Sequence, residues 1–263
     1  MPRVHVVSDV HGRAEGLAAA AHGADALVCL GDLIAFVDYD DHSRGVLGAL
    51  FGADAVGEFI RLRTDLRFDE ARTLSRELWS GLGEPAQVAL ERQVHEQYAA
   101  VFGAFAEAVA AGVPVFLTHG NDDLPRLWQE HLTPGVTVVD GAVADVAGTR
   151  WGFVGGIIAS PMGGAVTVTA EAYDAQLAAL GPCDVLATHI PPDLPWMVYD
   201  TVARRYERGS SGALAYLAEH QPTLAVSGHV HQPLSPVGHV GRTVCVNVGH
   251  FRATGQPYVV ELP

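Results

Sequence analysis

The stretch SGHVHQP, residues 227–233, decides how the chain is read. It places His229 and His231 one residue apart, just after the apolar run TLAV and just before Pro233. If that run is a strand ending near Gly228, side-chain alternation points both imidazoles the same way at the mouth of a sheet. Such a pair suits a metal site. An HxH alone is a weak signal, however, and its meaning rests on partners elsewhere.

Other apolar runs end in the same manner. VVSDVHG supplies Asp9 and His11, VCLGDL supplies Asp32, and LTHGNDD supplies Asn121 with Asp122 and Asp123 behind it. LATHIPP supplies His189. Seven side chains with nitrogen or oxygen donors thus follow apolar runs, at the expected carboxyl ends of strands. In open α/β sheets that edge binds ligands. Glycines beside them (Gly12, Gly31, Gly120, Gly228) are expected to let the backbone turn sharply. Singly, each piece has an ordinary reading: Asp9 or Asp32 could cap a helix, and His189 before two prolines could stiffen a turn. Five segments with compatible ligands at equivalent places point to metal binding by the set.

The runs VHVVSD, ALVCLGD, VPVFLTHGND, VTVVDG, RWGFVGG, DVLATH, TLAVSGH, TVCVNVG and YVVEL read as strands, most of them buried on both faces. Helical patterns at residues 13–22, 171–180 and 211–220 alternate with them, which predicts a layered α/β fold. Runs separated only by turns, at 136–156 and 243–262, predict a mixed sheet. Residues 38–112 carry helical patterns instead, notably 69–82 and 85–111. This block reads as an insertion within a single domain spanning 1–263, either a cap over a pocket or a layer packed on the sheet.

Composition sets the limits. With 263 residues, 49% hydrophobic and 17% charged, the chain can bury a large core. Its 16 basic residues against 30 acidic ones give a net charge of −14, which repels nucleic-acid backbones but admits a small phosphorylated substrate beside bound cations. Cys29, Cys183 and Cys245, odd in number and far apart, read as buried thiols of a reducing compartment. No charged leader precedes MPRVHVVSD, and the apolar stretch VFGAFAEAVAAGVPVFL is broken by Glu107 and Pro114. The expectation is a soluble, cytoplasmic protein without a membrane span.

The motifs and their order resemble the calcineurin-like metallophosphoesterase superfamily, whose pattern D-x-H, G-D, G-N, H and G-H-x-H is matched from Asp9 to His231. The resemblance implies two mixed β-sheets packed as a sandwich flanked by helices, with a dinuclear metal centre at one edge. Asp9, His11 and His231 would hold one divalent cation and Asn121, His189 and His229 the other, with Asp32 bridging. Manganese, iron, zinc or nickel would suit these ligands. The implied activity is hydrolysis of a small phosphodiester or phosphomonoester by a metal-bridging hydroxide, with Asn121, Asp122 and His189 at the catalytic positions. A non-catalytic scaffold of the same fold, binding protein partners, is the alternative.

One position departs from the pattern. Superfamily members usually carry a histidine where this chain has Asp122, and an aspartate beside two cations is a poor proton donor. Asp122 could instead cap a helix beginning near Leu124. His119 or His250 could take over the proton work or bind substrate, or the leaving group could need little help. Arg204, Arg205 and Arg208 read as an exposed face or a phosphate clamp, and the acidic run 38–42 as a solvated loop.

Overall fold

Runs that are apolar on both faces need cover on both faces. The computed structural model, which describes residues 1–159 and 167–261, supplies that cover with two sheets facing each other and helices outside. The first half contains β1 (Arg3–Val7), α1 (Leu17–Ala20), β2 (Ala26–Cys29), α2 (Gly45–Thr64), α3 (Phe68–Ser80), α4 (Ala86–Ala110) and β3 (Val115–Leu117). A 3-10 helix (Pro125–Glu130), β4 (Val136–Val138), β5 (Ala142–Val146), β6 (Thr149–Val154), β7 (Ile157–Ile158) and β8 (Thr167–Val168) come next. The second half contains α5 (Ala170–Leu180), β9 (Val185–Thr188), α6 (Pro195–Val198), β10 (Tyr199–Asp200), β11 (Arg205–Tyr206) and α7 (Ser211–His220). It ends with β12 (Leu224–Ser227), β13 (Val237–Val240), β14 (Thr243–Asn247), α8 (Phe251–Thr254) and β15 (Tyr258–Glu261).

One large sheet has the order β15-β1-β2-β3-β4 and the other β13-β14-β12-β9-β6-β5. Neighbours in the middle of each run parallel, while β15, β13 and β5 are antiparallel edges. Both sheets are therefore mixed, as expected. Val4, Val6 and Val28 from one sheet meet Trp151, Phe153 and Val226 from the other in the layer between them. The outer face of the first sheet packs on α1 and α4, and that of the second on α5 and α7. Each fully buried side chain of this size contributes about 1.5–3 kcal/mol, which is the reservoir that offsets a strained polar edge.

Every expected run contains a strand, although Leu262 of YVVEL lies outside the described residues. The helix expected over 13–22 shrinks to Leu17–Ala20, because Gly16 takes φ 83° and starts it late. In the 38–112 block, α4 is a packed layer, with Val94, Tyr98, Val101 and Phe105 fully buried against the sheet. The helix α2 has no clear signature in the sequence: its glycines hide the pattern, and Gly52 kinks it at φ 80°. No described helix is long and apolar enough to cross a membrane. Cys29, Cys183 and Cys245 are free and buried.

Candidate metal centre

Because β1, β2 and β3 run parallel in one sheet and β9 and β12 run parallel in the other, their carboxyl ends meet at one edge. Each ligand candidate lies one to four residues past such an end. The loops are laced together by backbone bonds: Asp9 N donates to Gly31 O (3.0 Å), His11 N to Asp32 O (2.8 Å) and Gly228 N to His189 O (3.0 Å). Two further contacts span the sheets. His229 N donates to Asp9 Oδ2 at 2.9 Å, and His189 Nδ1 lies 3.0 Å from Leu30 O.

The side chains converge. His231 Nε2 is 3.3 Å from Asp9 Oδ1 and 3.1 Å from His11 Nε2, and His11 Nε2 is 3.9 Å from Asp32 Oδ2. His189 Nε2 lies 3.5 Å from that same Asp32 oxygen and 3.1 Å from Asn121 Oδ1. Asp32 belongs to two triplets whose donor atoms all lie within 4.8 Å of one another, one with His189 and His229, the other with Asp9 and His11. A third triplet joins His11, His231 and His250.

This cluster is built at a cost. Asp9, His11, Asp32 and His229 all adopt positive φ, between 42° and 66°. Strain of that kind costs about 1–3 kcal/mol per residue and persists only where surrounding packing imposes it. Asp9 Oδ1 and His229 Nε2 are also buried without a hydrogen-bond partner among the described residues. Buried, unpartnered donors within a cluster of carboxylates and imidazoles fit a cation, because such donors suit divalent transition metals.

The glycines act differently from expectation at two of four places. Gly12 and Gly31 take positive φ, but Gly120 and Gly228 do not. Gly228 serves close approach instead: a Cβ there would overlap Ser8 Oγ and sit 2.5 Å from Asp9 Oδ2.

Protonation follows from the same crowding. Burial pulls His189 down, but the Asp32 carboxylate and its hydrogen bond, with Asp9, outweigh it and push His189 up to about 9. Burial and the charge on His189 push His229 down to about 3, so its ring is neutral. Burial would raise Asp9 and Asp32, yet the histidines win: Asp9 falls well below the usual carboxylate range and Asp32 falls to about 2. Protein groups alone push Asp122 up to about 8, through burial and then the Asp32 charge.

The remaining candidates separate clearly. Asp122 caps no helix. The 3-10 helix has Leu124 before it and no side-chain cap, while Asp122 Oδ1 accepts from Asn121 Nδ2 (2.9 Å) and its backbone N–H donates to Asp32 Oδ1 (2.8 Å). His119 is a strut. Its Nε2 is 3.1 Å from Asp140 Oδ2, Asp140 Oδ1 accepts from Gly155 N, and Gly156 N donates to His119 O, which ties the end of β3 to the end of β6. His250 does join the cluster, its ring stacked on His231 with centroids 3.9 Å apart. Arg204, Arg205 and Arg208 are all exposed, and Arg205 pairs with Glu207.

Three residues escape a reading of the sequence. Asp123 is fully buried and accepts from the backbone N–H groups of Asp32, Leu33 and Gly120, so it fixes the loops that carry Asp32 and Asn121. A second acidic residue right behind Asn121 is its only trace in the sequence. Asp38, read as part of a solvated loop, is instead buried and paired with Arg252. Nothing local in the sequence links those two.

Comparison with known proteins bears on the family and the fold. The family model for calcineurin-like phosphoesterases matches residues 2–233. One solved structure superposes with a TM-score of 0.62 at 19% identity, over 95% of this chain and 92% of its own. The protein TT1561 of Thermus thermophilus does so with a TM-score of 0.55 at 16% identity, over 98% of each chain. At such identities the likeness concerns the fold. No curated protein matches the chain. The chain belongs to the calcineurin-like phosphoesterase family.

Proposed function

We propose that this protein is a metal-dependent phosphoesterase acting on a small phosphodiester or phosphomonoester. In this reading Asp9, His11 and His231 hold one divalent cation, Asn121, His189 and His229 hold a second, and Asp32 lies between them. The observation that carries it is the convergence of strained, buried donors from both sheets, with Asp9 Oδ1 and His229 Nε2 unpartnered among the described residues. A scaffold with an idle pocket would have no use for that strain. Two cations bound there would supply Lewis acidity and an activated water. The chain's own part is to fix the ligands before substrate arrives. Asp9 Oδ2 is held by His229 N–H and Asp32 Oδ1 by Asp122 N–H, so each carboxylate keeps its other oxygen for the site. His119 is engaged with Asp140 and is not free to deliver a proton to a leaving group. We read residues 38–112 as an insertion within one domain, with α4 as its packed base.

The test is turnover of bis-p-nitrophenyl phosphate and of p-nitrophenyl phosphate by metal-stripped protein, then with Mn, Ni or Zn restored. Restored hydrolysis of either ester is the expected result. Failure on both with every metal would return the scaffold reading.

Cation affinity should also depend on pH in a defined direction. His189, raised to about 9, holds a proton at neutral pH that a cation must displace. Affinity should therefore climb as pH rises toward 9, by about tenfold per pH unit for one displaced proton, and level off above it. Calorimetry in buffers of different ionisation enthalpy should record that proton. A pH-independent affinity between 7 and 9 would mean that no cation displaces a proton from His189.

A further inference from the structure

A cleft of about 380 Å³ opens beside the ligand cluster, lined by His11, Arg13, Glu15, Arg44 and Arg252. A second, of about 260 Å³, shares His11, Arg44 and Arg252 and runs on between Asp38 and Gln97. Neither is lined by Asp32, Asn121, His189 or His229, so the arginines lie to the His11 side of the centre.

Three arginines on one wall are unusual in a chain of net charge −14. Elsewhere Arg61 is answered by Glu58 and Arg67 by Glu70, whereas Arg63 and Arg242 have no carboxylate partner among the described residues. At the cleft one arginine is anchored and two keep their donors. Arg252 is anchored: buried Asp38 pairs with it, and its Nη1 reaches His11 O at 3.5 Å. Arg13 Nη1 donates to Arg252 O at 2.5 Å, which positions the second guanidinium. Neither Arg13 nor Arg44 has a carboxylate partner among the described residues. Asp38 balances Arg252, exposed Glu15 lies in the same cleft and Asp41 acts on Arg44 through its charge, so what the wall offers is guanidinium donors rather than a large net charge. A surface of solvated arginines would not need one member locked to a buried aspartate.

Guanidinium groups present paired N–H donors that match phosphoryl oxygens. We propose that this cleft binds a second phosphoryl group, so that the substrate carries two: one presented to the metal centre, the other held by Arg13 and Arg44. The inference rests on the phosphoesterase reading above. Arg44 comes from the loop that opens α2, so the 38–112 block would supply substrate selection rather than chemistry.

The test uses bisphosphates of straight-chain diols with two to six carbons, and the matching alkyl monophosphates, as inhibitors of nitrophenyl ester hydrolysis. At one or more lengths the bisphosphate should bind about tenfold or more tighter than the monophosphate. That preference should collapse in R13Q and R44Q and survive in part in R44K. Equal inhibition at every length, or a preference untouched by R13Q and R44Q, would overturn the proposal. If no metal restores ester hydrolysis, the phosphoesterase reading fails by itself. The same ratio is then read by calorimetric titration of the same proteins, and a bisphosphate preference lost in R44Q would still support the cleft.

Discussion

Replacing Asp32 with Asn is expected to lower turnover on either nitrophenyl ester by about a thousandfold or more and to leave fewer than two cations bound. The geometry explains why a nearly isosteric change should matter so much. Asp32 Oδ1 is committed to the Asp122 N–H at 2.8 Å, whereas Oδ2 faces His11 and His189 at 3.9 and 3.5 Å. An asparagine would keep its oxygen on the Asp122 side and turn its NH2 into the cluster, where a donor repels a cation. The lost clamp is worth several kcal/mol, and each 1.36 kcal/mol is tenfold in rate. A second readout separates this from misfolding. Asp32 is the main group that lifts His189 to about 9, so in metal-free D32N the His189 resonance should titrate at a clearly lower pH. Undiminished turnover with two cations bound would remove Asp32 from the centre.

That Asp32 could be picked out at all shows what kind of information the sequence carries. All seven ligand candidates stand directly past apolar runs, and a strand that must be buried ends where the chain turns polar. Local order thus located them. Pairing between strands then did the rest, because five parallel ends in two facing sheets share an edge. What stayed hidden depends on distance along the chain. Arg13, Arg44 and Arg252 come from three distant parts of the chain, and Asp38 looks like any acidic loop residue until Arg252 arrives from more than two hundred positions away. Asp123 could not be separated from Asp122 by type; only the backbone N–H groups around it make it a clamp. The edge strand β13, with exposed Val237 and His239, carries too little apolar pattern to announce itself.

Gly31→Ala should be the most destabilising glycine-to-alanine change among the described residues. Gly31 takes φ 100°, which an L side chain rarely adopts, and a Cβ there would overlap the backbone nitrogen of Gly120 and lie 2.7 Å from its Cα. The neighbour is main chain, not a flexible side-chain tip. It is also pinned, since Gly120 N–H donates to Asp123 Oδ2 at 2.8 Å. Backbone strain of about 1–2 kcal/mol and overpacking of about 1–3 kcal/mol add to roughly 2–5 kcal/mol, out of the 5–15 kcal/mol typical of a whole domain. Gly148→Ala isolates the first part, because Gly148 also has positive φ, 85°, and an added methyl group there would meet nothing within 4 Å. Urea midpoints at constant m should place G31A well below G148A. If the two unfold alike, the Asp32 and Asn121 loops are not packed backbone to backbone.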